Sequence, residues 1–236
     1  MSSPVIRRAG DRYRSDAEGR STYHSFSFGP SYDPANISFG GLVAHNDERI
    51  EPGHGYPDHP HRDLEIVTWV LSGALTHRDA SGATQVITPG QVQRMSAGTG
   101  IVHSETVEPD AGATRFIQTW VRPSNAGGVP SYSAATARPK TDELTALASG
   151  VRPHALVRIG AAASLYVARL EQGVTLPDAQ LLHVFVASGS IKLGDDVLDD
   201  GDAARLTDLG SMPIAVSGDA PAEVLVWAFR ESGRRG

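Results

Sequence analysis

The chain of 236 residues is 40% hydrophobic and 20% charged, and its formal charge of -6 offers no basic surface for nucleic acid or an anionic membrane. It contains no cysteine, which excludes disulfides, thiolate metal sites, iron–sulfur clusters and cysteine nucleophiles. No apolar run approaches the roughly 18 residues of a membrane span, and the N-terminus lacks a hydrophobic leader, so a cytoplasmic protein is expected.

Short segments rich in Val, Ile, Thr and aromatics, punctuated by 25 Gly and 15 Pro, predict many strands joined by tight turns. In chain order these are 66–71, 74–77, 85–88, 100–105 and 115–121. Residues 124–150 are polar and turn-rich and read as a linker, with a helix predicted only at 142–148. Strands resume at 164–170, 183–187, 190–193, 203–206 and 224–229. The pattern predicts an all-β sandwich or barrel.

The two halves resemble each other. TWVLSGAL (68–75) aligns with VFVASGSI (184–191), placing Gly73 over Gly189, and ITPGQV (87–92) aligns with LDDGDA (198–203), placing Gly90 over Gly201. Two tandem copies of one β-barrel are expected. The boundaries are 1–123 for the first barrel, 124–150 for the linker and 151–236 for the second.

Nine histidines are present, and two groups carry metal-ligand spacing. His59-Pro60-His61 places two imidazoles at i and i+2, and His103-Ser104-Glu105 places an imidazole and a carboxylate likewise. Side chains two apart on a strand share a face, so each pair can point both donors inward. Three His and one carboxylate suit a divalent first-row metal and leave positions open for water, dioxygen or substrate. Glu65 is a rival carboxylate that spacing alone does not separate from Glu105. Ile101, Phe116 and Trp120 are candidate pocket walls, subject to strand parity. Arg62-Asp63 reads equally as a pair orienting an imidazole or as a surface ion pair. His77 is expected in a turn or surface role. His45, His54, His154 and His183 have no partner at ligand spacing. The acidic run from Asp195 to Asp202 reads as turn residues, since the EF-hand spacing is absent. Gly98 and Gly100 open no phosphate loop and permit tight turns before the ligand strand.

Gly53-x5-His59-x-His61-x3-Glu65-x7-Gly73, with one extra residue before the last Gly, resembles the first cupin motif, and Gly90-x5-Ser96-Ala97-Gly98-Thr99-Gly100-x2-His103 resembles the second. The match is closer still to the pirins. It is carried by HSFSFG (24–29), YDP (32–34), HPHRDLEIVTWVLSGALTHRDASG (59–82), PGQVQRMSAGTGIVHSE (89–105) and FIQTWVRP (116–123), in a form similar to the bacterial branch. The resemblance implies a bicupin, two tandem jelly-roll barrels, with one divalent metal in the first. Its ligands would be His59, His61, His103 and Glu105, which favours Glu105 over Glu65. Iron is the first expectation for the metal, with Cu, Ni, Mn or Zn as the other possibilities.

Bacterial members are known as quercetin 2,3-dioxygenases, which implies a phenolic substrate and O2, with Glu105 as the proton acceptor. Eukaryotic members are linked to transcriptional regulation. The alternative is therefore a non-catalytic metal-binding redox sensor with a protein partner, and a third reading is a non-oxidative cupin enzyme. Carrying the repeat offsets across puts His59 and His61 on Thr175 and Pro177, and His103 and Glu105 on Ile214 and Val216. None is a ligand type, so one metal per chain is expected, with the second barrel kept for packing.

Overall fold

The computed structural model describes residues 3–80, 82 and 84–229. Two compact units divide them: an N-terminal unit of 13–137 with 156–161, and a C-terminal unit of 3–12, 138–155 and 162–229. Regular structure among the described residues is strand, apart from two single-turn 3-10 helices at Ala9–Asp11 and Pro34–Asn36.

The first strand, β1 (Val5–Arg7), belongs to the C-terminal unit. The N-terminal unit contains β2 (Tyr13–Ala17), β3 (Arg20–His24), β4 (Leu42–Ile50), β5 (Gly55–His61), β6 (Glu65–Ser72), β7 (Leu75–Asp79), β8 (Thr84–Ile87), β9 (Gln91–Ser96), β10 (Ile101–Thr106), β11 (Thr114–Val121) and β12 (Ser131–Thr136). They form a large sheet in the order β12-β9-β6-β11-β4-β3-β2 and a four-stranded sheet in the order β5-β10-β7-β8. One apolar cluster joins both sheets: Ile50, Val70 and Phe116 from the large one, Leu75 and Ile87 from the small one.

The C-terminal unit adds β13 (Thr145–Ser149), β15 (Ala163–Leu170), β16 (Gly173–Thr175), β17 (Leu181–Ser188), β18 (Ser190–Leu193), β19 (Asp196–Asp199), β20 (Ala203–Thr207), β21 (Pro213–Val216) and β22 (Ala222–Phe229); the two-residue β14 (Val157–Arg158) falls in the N-terminal unit. Its large sheet runs β1-β20-β17-β22-β15-β13 and its small sheet runs β16-β21-β18-β19. This follows the jelly-roll plan of the other unit, with one strand fewer in the large sheet among the described residues.

The repeat has a physical basis in its glycines. Gly73 closes the β6–β7 hairpin at φ +77° and Gly189 closes β17–β18 at φ +75°. A Cβ on Gly73 would lie 2.7 Å from the Ala113 carbonyl oxygen, and one on Gly189 would lie 2.5 Å from that of Pro221. Only glycine fits both the backbone angle and the space.

Two expectations are corrected. The stretch 124–150 is not simply a linker, because it carries β12, paired with β9, and β13, paired with β15. Residues 142–148 form no helix. Asp142 has φ +58°, and its Oδ1 accepts from the backbone N–H groups of Glu171, Gln172 and Gly173. Leu147 and Ala148 are then fully buried on the sheet. Tertiary pairing overrides a weak local preference.

The mapping between copies also shifts. A Cβ on Gly55 would strike the Glu105 carbonyl oxygen at 2.3 Å, and one on Gly173 would strike that of Ile214 at 2.3 Å. Ile214 therefore occupies the place of Glu105. It sits in a continuous apolar core with Leu182, Val184, Ile191 and Leu193. Where the first barrel has donors, the second has hydrocarbon.

Candidate metal centre

β5 is the edge strand of the small sheet, where Pro57 and Pro60 are tolerated. It runs antiparallel to β10, with His59 directly opposite His103 and a register shift between His103 and Glu105. Burial alternates along β10, so Ile101, His103 and Glu105 point inward. The fold thus brings together three imidazoles predicted to share a site. Their ring centroids are 4.8 Å apart for His59–His61, 4.4 Å for His59–His103 and 5.1 Å for His61–His103. One nitrogen from each lies within 4.8 Å of the others.

The donor set fits a cation. Burial, reinforced by the neighbouring imidazoles, lowers the His61 pKa to about 4 and that of His103 to about 3, so both are neutral at pH 7 and keep a lone pair. The Nε2 atoms of His61 and His103 are buried without a hydrogen-bond partner. His59 Nδ1 lies 2.8 Å from the Pro57 carbonyl, which only accepts, so this nitrogen carries the hydrogen and Nε2 is left as the donor to a metal. Three bare nitrogens facing one another is the state a divalent ion resolves.

Glu105 is fully buried, and its carboxylate is grouped with His103 and His77 rather than with His59 and His61. Gln93 Nε2 donates to Oε1 at 2.8 Å and Gln118 Nε2 donates to Oε2 at 2.6 Å. Tyr132 and Trp120 donate in turn to the two amide oxygens, which fixes both amides with nitrogen toward Glu105. Burial raises the Glu105 pKa to about 7, against the lowering effect of the amide donors. Each oxygen retains lone-pair capacity beyond its amide bond.

Glu65 points elsewhere. Its Oε2 accepts from Ser96 Oγ at 2.7 Å, and its Oε1 lies where a side chain on Gly160 would go. Strand parity does not carry from His61 to Glu65, because the chain breaks between β5 and β6 and Asp63 takes φ +51°. Arg62 and Asp63 form an exposed pair at 3.6 Å, and Asp63 also accepts from the Gly127 N–H, so neither orients an imidazole.

A cavity of about 370 Å³ opens beside the centre, bounded by Phe28, Glu48, Tyr56, His59, Glu105 and Trp120 among others. Of the proposed wall residues only Trp120 lines it. Phe116 is packed in the inter-sheet core, and Ile101 borders a separate open groove with Pro60 and His61. Glu48 was missed by sequence reasoning. Burial raises its pKa to about 7, and Oε2 accepts from Thr22 Oγ1 at 2.6 Å and Tyr56 Oη at 2.8 Å.

His77 was also misjudged: it is 1% exposed and lies beside His103. Gln93 and Gln118 are buried polar residues beside buried apolar ones, Val92 and Met95 on β9 and Ile117 on β11, and that juxtaposition is the signal that could have found them. Of the remaining histidines, His54 hydrogen-bonds the Pro52 carbonyl, His45 and His183 are buried, and His154 is exposed. Within the acidic run, Asp202 holds the N-terminal arm through the Ala9 N–H and the Arg8 guanidinium.

Residues 7–121 match the pirin family and residues 146–227 match the quercetinase C-terminal cupin domain. A Mycobacterium tuberculosis protein named "Putative quercetin 2,3-dioxygenase" is 45% identical over 232 residues, 94% of this chain and 93% of its own. The chain belongs to the pirin family. A second pirin relative, the "Pirin-like protein" of Caulobacter vibrioides, is 37% identical over 206 residues, 84% of this chain and 88% of its own. The fold of Escherichia coli YhhW superposes with a TM-score of 0.89 at 27% identity, covering 96% of this chain and 97% of that one. The same bacterial pirin in complex with nickel(II) gives a TM-score of 0.87 at 28% identity, over 97% and 99% of the two chains. As in that family, the fold is an all-β bicupin, and no helix among the described residues is long and apolar enough to cross a membrane.

Proposed function

We propose that this pirin is a metal-dependent dioxygenase that opens the ring of a flavonol such as quercetin with O2 and releases CO, with His59, His61, His103 and Glu105 holding one iron ion. The observation that carries the reading is the cluster of three imidazoles, His59, His61 and His103, whose member His59 lines a cavity that also holds the Glu105 carboxyl. The names of the relatives and the nickel(II) complex of a bacterial pirin support it.

Bound there, a divalent metal supplies a Lewis acid for a phenolic hydroxyl and a meeting point for O2. The protein residues do the rest. Glu105, with a pKa of about 7, accepts the substrate hydroxyl proton near neutrality and returns it to product. The amides of Gln93 and Gln118 stabilise the ionised carboxylate by two hydrogen bonds and keep it from rotating. Phe28 and Trp120 present aromatic surface to a planar ligand, while Tyr56 and Glu48 present a hydroxyl and a carboxyl to its polar rim.

The deciding experiment is O2 uptake with CO release when the iron-loaded protein is mixed with quercetin, followed by loss of flavonol absorbance. Turnover in the wild type and its loss in His59→Ala are expected. Flavonol binding with no O2 uptake would instead favour a redox sensor, and O2-independent turnover would favour a non-oxidative cupin reaction.

A further inference from the structure

Beside His103, the small sheet buries two groups that the proposed reaction does not use. β7 pairs with β10 so that His77 lies opposite Glu105 and Asp79 lies opposite His103. The side chains of His77 and Asp79 are 1% and 0% exposed. His77 Nε2 is 3.2 Å from Asp79 Oδ2, and His77 Nδ1 is 3.4 Å from His103 Nδ1. The three residues form one hydrogen-bonded line, Asp79–His77–His103, ending at the unpartnered Nε2 of His103. Tyr132 stacks on His77 with centroids 4.4 Å apart and planes 21° from parallel, which holds the ring in place.

We propose that Asp79 and His77 are positioning residues that set the tautomer of His103, keeping its hydrogen on Nδ1 and its Nε2 lone pair free for a metal. The argument is one of polarity. A carboxylate only accepts, so the His77 nitrogen facing Asp79 carries hydrogen. A neutral imidazole has one N–H, so His77 Nδ1 is then an acceptor. Across the 3.4 Å contact it takes the hydrogen of His103 Nδ1. The reverse polarity would require one more proton, on Asp79 or on His77, and would leave an N–H on His103 Nε2, a buried atom with no hydrogen-bond partner. That arrangement leaves a buried donor unsatisfied, which is costly. The same logic is met at His59, where the Pro57 carbonyl performs on one ring what Asp79 performs on another through His77. Metal-bound imidazoles are generally oriented by such partners, whose loss weakens binding by about 10- to 100-fold.

The inference rests on His103 as a ligand but not on any oxygenase activity, so the two fail separately. It also makes His77 a support and not a ligand, although His77, His103 and Glu105 lie within 4.8 Å of one another. The first test needs no metal. Long-range 1H–15N correlation spectra of the metal-free protein, labelled at histidine, should show His103 protonated on Nδ1. An Nε2–H signal for His103 would overturn the proposal.

The second test measures nickel(II) affinity by chelator competition. His77→Phe, which cannot accept a hydrogen bond, should bind about 10- to 100-fold more weakly, whereas His77→Gln, whose amide oxygen can accept from His103, should stay within about 3-fold of wild type. Wild-type affinity in His77→Phe would refute the idea. The copper(II)-loaded His77→Gln protein should keep the wild-type number of imidazole nitrogens in pulsed EPR. Loss of one would make His77 a ligand and overturn the assignment. Should His77→Phe fail to fold, the wild-type tautomer spectrum still decides.

Discussion

Glu48→Gln should make the metal-free protein more stable at alkaline pH while leaving it nearly unchanged in acid. Glu48 is 2% exposed, and burial moves its pKa from 4.5 to about 7. In the window between those values the folded protein holds a proton that the unfolded chain has released, so stability falls as pH rises through it. At 1.36 kcal/mol per unit, the ionised side chain destabilises the fold by about 3 kcal/mol above the window and by nothing below it. Glutamine removes this dependence without removing the contacts. Thr22 Oγ1 and Tyr56 Oη both donate to the same oxygen, Oε2, which an amide carbonyl can replace. The charge on Glu48 is also one cause of the raised Glu105 pKa, so its removal should ease that shift. The assay is urea unfolding of metal-free wild type and variant at about pH 4.5 and about pH 8, followed through Trp69 and Trp120 of the same unit. A difference between the two proteins that does not change with pH would show that Glu48 ionises at its ordinary pKa. It would also remove the argument that this cavity wall holds a proton near neutrality.

Other outcomes follow from the same geometry. Metal analysis of the reconstituted protein should give about one ion per chain, with Glu105→Ala binding more weakly and Glu65→Ala retaining full metal; the reverse ranking would move the acidic ligand to Glu65. Trp120 lies 4.9 Å from the His61 ring centroid, so bound copper(II) should quench tryptophan fluorescence, and Trp120→Phe should abolish most of that quenching. An unchanged quench would place the ion away from His61. Gly73→Ala should lower unfolding stability by at least about 2 kcal/mol, because a left-handed backbone and the Ala113 and Thr114 backbone both oppose a Cβ. Gly29→Ala, at φ +53° with open space around it, should lose only about 1 kcal/mol. Equal losses would mean that the hairpin relaxes around the new methyl group.

The strand pattern, the repeat and the two histidine motifs were legible in the sequence because each rests on short-range rules: period-two side-chain alternation, turn glycines and i, i+2 donor spacing. That His59 stands opposite His103, and that Glu105 and not Glu65 borders the cavity, was decided by the pairing of β5 with β10 and by the chain reversal at Asp63. The residues that reasoning along the chain passed over share one property. His77, Asp79, Gln93, Gln118 and Glu48 come from four further strands; His77, Gln93 and Gln118 gain their roles from partners 12 to 26 positions away, Asp79 through His77, and Glu48 from a cavity wall. Local sequence determines which face of a strand a side chain occupies; only the closed sheet determines what stands across from it. The candidate ligands announce themselves by spacing, but the residues that hydrogen-bond to them are assembled by register.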